Sequence, residues 1–269
     1  MSNPATSSAR PLVWDVPTRL GHAVLLLGVP GAFIVAVTSE HGPFFPVHMA
    51  LGLAVGLVAG LRIAWGLVGT RYARFSAFAW SPAALVAYLR GALTGAAPRY
   101  VGHNPATSYL VPVMLALALG IVTTGMAMTL GGGEDAEGLH KILALSLLGV
   151  ALLHVAGVIL HQVRHRDDLI RSMVDGRKGV ASPGEAAAPA GGAGAILALF
   201  VAALLGWLFS GFDAGAGRLV PPGTGWQLGG PEAGAADDHA DRDERQERDR
   251  RPGRRDHDAD DRDEHDDDH

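Results

Sequence analysis

The sequence predicts an all-α membrane protein: a four-helix transmembrane bundle, an appended fifth transmembrane helix and a disordered C-terminal tail. Three observations carry this. Of the 269 residues 48% are hydrophobic, and they gather in runs of about 20, the length a helix needs to cross hydrocarbon. Arginines cluster in alternate connections between those runs, as positive-inside topology requires. Residues 237–269 hold sixteen Asp/Glu and eight Arg with no large apolar side chain, so that segment has nothing with which to build a core.

The same composition narrows the chemistry. There is no cysteine, which excludes disulfides, thiolate-held iron–sulfur clusters and Cys-x-x-Cys-His attachment of a cofactor. The net charge of −5 comes from the tail, and the rest of the chain has no basic stripe. A nucleic-acid partner is not expected; membrane lipid is.

Residues 1–12 form a short polar segment without a signal-peptide cleavage pattern. Trp14 then suits an interface anchor, and Asp15-Val16-Pro17-Thr18-Arg19 leads into a first helix at about 20–38. The loop SEHGPFFP contains Glu40, His41 and no Lys or Arg. A second helix follows at about 47–68. The connection 69–104 carries Arg71, Arg74, Arg90 and Arg99 and no acid. Within it Ser81-Pro82 starts an amphipathic surface helix, with serine as cap and proline in the first turn. The third span covers about 106–130. After the acidic loop GGGEDAEG, the fourth runs to about 165 and ends among Arg164, Arg166, Arg171, Arg177 and Lys178. Both Arg-rich segments fall on one side if all four helices span, which puts the N-terminus in the cytoplasm and the acidic loops outside. Residues 13–178 are thus the bundle domain, 179–193 a Gly/Ala/Pro linker, 194–212 the fifth span and 213–269 the tail.

The stretch LHKILALSLLGVALLHVAGVILHQVRH at 139–165 holds His140, His154 and His161. Ionisable groups inside a span are costly and mark function. Fourteen residues make nearly four whole turns, so His140 and His154 share a face and stand about 21 Å apart. His22 opens the first helix at the depth of His154, and His48 opens the second at the depth of His140. Two pairs of imidazoles at two depths suit two six-coordinate b-type haems, each with one histidine on either axial side, built in a bundle core. Arg62, fourteen residues after His48, lies at the inner depth, where a haem propionate would balance its charge; snorkelling to the surface is the plainer alternative. His161 is open to two readings, a propionate or quinone contact and an imidazole in interfacial water. His103 and Asn104 are further candidates near the propionates. Gly52, Gly56 and Gly60 allow either close helix packing or room for a porphyrin.

The segments VWDVPTRLGH at 13–22, VHMALGLAVGLVAGLRIAWGLVG at 47–69, ARFSAF at 73–78, PRYVGHNP at 98–105, LHKILA at 139–144 and LHVAGVILH at 153–161 occur in an order that resembles the bacterial cytochrome b561/nickel-hydrogenase cytochrome b family of di-haem membrane proteins. The resemblance implies His22 with His154 and His48 with His140 as the iron ligands. It also implies electron transfer between the quinone pool, or a dehydrogenase partner, and an external redox protein such as a c-type cytochrome. Ala23 departs from it, since a Trp commonly follows the first histidine, and the fifth helix and tail are additions. One alternative is a membrane anchor subunit for a hydrogenase or another periplasmic oxidoreductase. Another is a haem-free metal transporter or sensor using His239, His257, His265 and His269 of the tail; a solvated polyampholyte is the plainer reading of that segment.

Overall fold

The computed structural model describes residues 10–38, 44–129, 133–179, 181–188, 190–213, 218–225 and 227–229. The Glu40–His41 loop and the tail beyond 230, with its histidines, lie outside the described residues. Five helices are long and apolar enough to span a membrane: α1 (Val16–Thr38), α2 (Phe45–Val68), α4 (Pro105–Thr129), α5 (Gly133–His165) and α7 (Gly191–Ser210). Between them lie the surface helix α3 (Pro82–Thr94) and the short α6 (Leu169–Asp175). Ser81 caps α3 by accepting from the Ala84 amide at 3.2 Å, and Gly95 ends it at φ 82°, a conformation that costs glycine nothing.

The bundle consists of two antiparallel hairpins, α1 with α2 and α4 with α5, joined along α2 and α4. Neither α1 nor α2 packs along α5 as α4 does. The centre of the fold is accordingly α2, not the histidine-rich α5. Helix α2 buries residues all round, among them Ala50, Ala54, Val55, Val58 and Ala59, whereas α5 buries only Leu147 and His161. Small residues set the close approaches. A side chain at Gly28 would strike Val55 and one at Gly56 would strike Val122, at 2.8 and 2.5 Å from the added carbon.

Four sequence expectations are corrected. Trp14 is no lipid anchor: it is buried beside Val13 and Tyr72, and its indole N–H donates to Ser172 Oγ at 3.2 Å. The acidic loop shortens, because Glu134 and Asp135 form the first turn of α5, where carboxylates favour the positive end of the helix dipole. The linker packs: Ala181 and Ala187 join the Trp14 cluster, and the Glu185 carbonyl accepts from the Tyr72 hydroxyl at 2.7 Å. The stretch after α7, expected to be disordered from 213, instead makes a small antiparallel sheet of β1 (Phe212–Asp213), β2 (Arg218–Leu219) and β3 (Leu228–Gly229). Leu219, fully buried against Ala50, Ala54 and Leu208, fastens that sheet to α2 and α7.

At the opposite end Arg10 grips α6 and its flank, pairing with Asp168 and Asp175 and donating to the Arg177 carbonyl at 2.6 Å. Burial opposes ionisation of Asp168, yet the hydrogen bonds from Arg10 and the Gly179 amide prevail and hold its pKa below the ordinary value; Asp175 is lowered likewise. A lowered carboxylate pKa contributes stability above the unfolded-state value, and that contribution is lost as pH falls through the folded one. Acidification below pH 4 should therefore free the N-terminal segment, seen as faster amide exchange at Val13 and Trp14, whose N–H groups bond to the Gly176 carbonyl. Unchanged exchange at low pH would refute this.

Candidate functional site

At one depth the α1/α2 and α4/α5 hairpins bring His48 and His140 together. Their ring centres are 6.1 Å apart with planes at 70°. Two imidazoles binding one metal from opposite sides at about 2 Å each would have centres about 6 Å apart. The Nδ1 atoms point away from this gap. His48 Nδ1 lies 2.8 Å from the Ala32 carbonyl, and His140 Nδ1 lies 3.0 Å from the Ile121 carbonyl and 3.1 Å from Thr124 Oγ1. A carbonyl only accepts, so each Nδ1 carries the proton and each Nε2 keeps its lone pair for a metal. Among the described residues no cluster of three or more metal-ligating side chains occurs.

The second depth lies about 21 Å along α5. Here His154 is within electrostatic reach of His22 and of His103. Its Nδ1 is buried with no hydrogen-bond partner. Arg62 Nη1 is equally buried and unpartnered, with the guanidinium 5.4 Å from the Phe75 ring centre. Two orphaned donors or acceptors at one level are costly unless something completes them. His103 packs between Trp14, which it meets edge-on, and Phe78, at 4.9 and 4.3 Å between centres. Desolvation, then the charges of Arg62 and Lys178, push its pKa down to about 3, so it stays neutral. Asn104 caps α4 by accepting from the Thr107 amide at 2.9 Å.

Apolar packing separates the two levels. Val55 lies seven residues from both His48 and Arg62, and Leu147 seven from both His140 and His154; both are buried in one cluster with Ala59, Leu115 and Ala118. The glycine stripe of α2 divides accordingly. Gly56 is pressed against Val122 at the middle, whereas a Cβ at Gly52 or Gly60 would meet nothing within 4 Å. If a pigmented cofactor sits at the His48–His140 level, Gly52→Leu should therefore fold normally but bind less of it, read as pigment per polypeptide. Gly56→Leu should lower the melting temperature instead. Equal effects from the two would remove the distinction.

Sequence reasoning missed the group that positions His22. Asp15, 2% exposed, accepts from the Thr18 amide at 2.8 Å, Trp65 Nε1 at 2.9 Å and Thr70 Oγ1 at 2.5 Å. It caps α1 and fixes that helix to the end of α2. The cap was legible in Asp-Val-Pro-Thr; its partners fifty residues away were not. His161 stands apart from both pairs, with its nitrogens at Tyr88 and Asp167 rather than turned toward either level. Helix α7 lies against α1 and α2, beside a cleft lined by Leu20, Gly21, Val58, Arg62, Leu197 and Val201.

Searches among curated proteins and among solved structures gave no match. The model of the family described as prokaryotic cytochrome b561 matches residues 13–176, more than half of the chain, and the protein belongs to that family of membrane electron-transfer cytochromes, which use haem b.

Proposed function

We propose that the chain carries electrons across a bacterial inner membrane through two b-type haems, from quinol at its cytoplasmic half to an external acceptor such as a c-type cytochrome. The single observation that carries this reading is the His48–His140 pair, spaced for one iron and with both Nδ1 protons already committed to carbonyls. Bound there, haem supplies reversible one-electron chemistry at iron.

The residues supply the rest. His48 and His140 hold the outer group, while His22 and His154 hold the inner one. The Ala32 and Ile121 carbonyls fix the ring tautomers and make the imidazoles better donors. Arg62 offers its free Nη1 to an inner propionate, charge-assisted and away from water. Val55 and Leu147 exclude water between the levels. Two sites about 21 Å apart divide one long electron transfer into shorter ones.

The protein purified in detergent should be red, show a reducible b-type α-band and titrate in two steps against electrode potential. A colourless preparation sinks the proposal, and a single one-haem step sinks the second site.

A further inference from the structure

We propose that Tyr88, His161 and Asp167 form a proton-transfer chain at the Arg-rich end of the bundle, taking the hydroxyl protons of the quinol; this rests on the quinol reading above. The His161 side chain is 6% exposed and that of Asp167 5%. His161 Nδ1 lies 3.1 Å from the Tyr88 hydroxyl, and its Nε2 lies 3.5 Å from Asp167 Oδ2. A histidine ending a membrane helix reaches water at no cost, so its burial between two further titratable groups needs a reason.

The chain has been built at some expense. Arg166 adopts φ 48°, in the left-handed region that side-chain-bearing residues rarely occupy, and this turn follows the last residue of α5 and precedes Asp167. Asp167 Oδ1 accepts from the Asp168 amide at 2.8 Å, while Oδ2 is buried without a hydrogen-bond partner, 3.5 Å from His161 Nε2. Docking α3 onto α5 does not explain the arrangement. Arg164 already donates to the carbonyls of Ala92 and Leu93, and Arg99 donates to that of His165 at 2.6 Å.

The surroundings suit proton transfer. Burial, and then Tyr100, hold the Tyr88 hydroxyl above its usual pKa, so it is protonated at rest. His165 packs its ring 4.3 Å from that of His161. Lys178 donates to the carbonyls of Tyr100 and Val101 and feels the charges of both Asp167 and Asp168, while Asp168 is paired with Arg10. Each member of the chain both gives and takes a proton.

Oxidation of one quinol releases two electrons, which the proposed haems would accept, and two protons. As each quinol O–H breaks, its proton passes to Tyr88 Oη while the tyrosine proton moves to His161 Nδ1. The Nε2 proton moves to Asp167, which releases it to water, and a ring flip restores the imidazole. Quinone, two electrons passed to the haems that would be bound and two protons in water complete the balance.

The test uses the haem-loaded protein in detergent, reduced in a stopped-flow instrument by decylubiquinol or by dithionite, which needs no proton acceptor. His161→Gln, Asp167→Asn and Tyr88→Phe should keep haem content, α-band and dithionite rate, while kcat with decylubiquinol falls about 10- to 100-fold at unchanged KM. Variants that oxidise quinol as fast as the parent overturn the chain alone. Parallel loss of both rates assigns the three residues to structure and overturns it too. A parent protein that dithionite reduces and decylubiquinol does not overturns the quinol reading and, with it, this use of the chain.

Discussion

His48→Ala is expected, on the proposed two-haem reading, to leave one haem per polypeptide instead of two, and His140→Ala should give the same result. The two imidazoles would hold one haem together, so loss of either should empty that site and the double variant should be no worse than the single ones. The remaining haem should keep its α-band, because the apolar layer around Val55 and Leu147 separates the two levels. His154→Ala should remove the other haem. Pigment per polypeptide, measured after extraction into alkaline pyridine, checks all four variants. If any single variant keeps both haems, the pairing is wrong.

Asp15→Ala is expected to be the most damaging change that touches no ligand. Three donors converge on the carboxylate, and two of them, the Thr18 amide and the Trp65 indole, are in buried surroundings. Leaving a buried donor unpaired costs about 1–3 kcal/mol, so the loss should come to about 3–5 kcal/mol. Asp15→Asn retains one acceptor oxygen and should lose about half of that. His22 lies two turns along α1 from Asp15, so loosening the cap should release the inner haem before the outer one. Thermal melts followed at both α-bands provide the check; a melt like the parent's, or loss of the outer haem first, defeats the argument.

The long spans and the depths of four histidines were legible because both depend on one-dimensional spacing. A helix converts fourteen residues into a height and a direction regardless of what surrounds it. What the sequence could not show depends on residues meeting from far apart. Asp15 finds Trp65 and Thr70, and His161 finds Tyr88, only after folding. Trp14 was misread for the same reason, since an aromatic at a span's edge looks alike whether Ser172 or lipid awaits it. The three strands after α7 have two residues each, too short for any alternation to register. Helix α5 is apolar on almost every face, and such a pattern does not distinguish a neighbouring helix, lipid or porphyrin.

The seam between the hairpins has a bearing on biogenesis. It is closed at α2 and α4, where Gly56 meets Val122, and it lacks comparable packing between α1 and α5. Porphyrin dissolves in the same bilayer that receives the nascent spans. A flat, greasy guest can thus enter sideways, like a letter through a slot, and draw the hairpins together on arrival. Maturation then requires no passage through water and no unfolding of the two hairpins that await it.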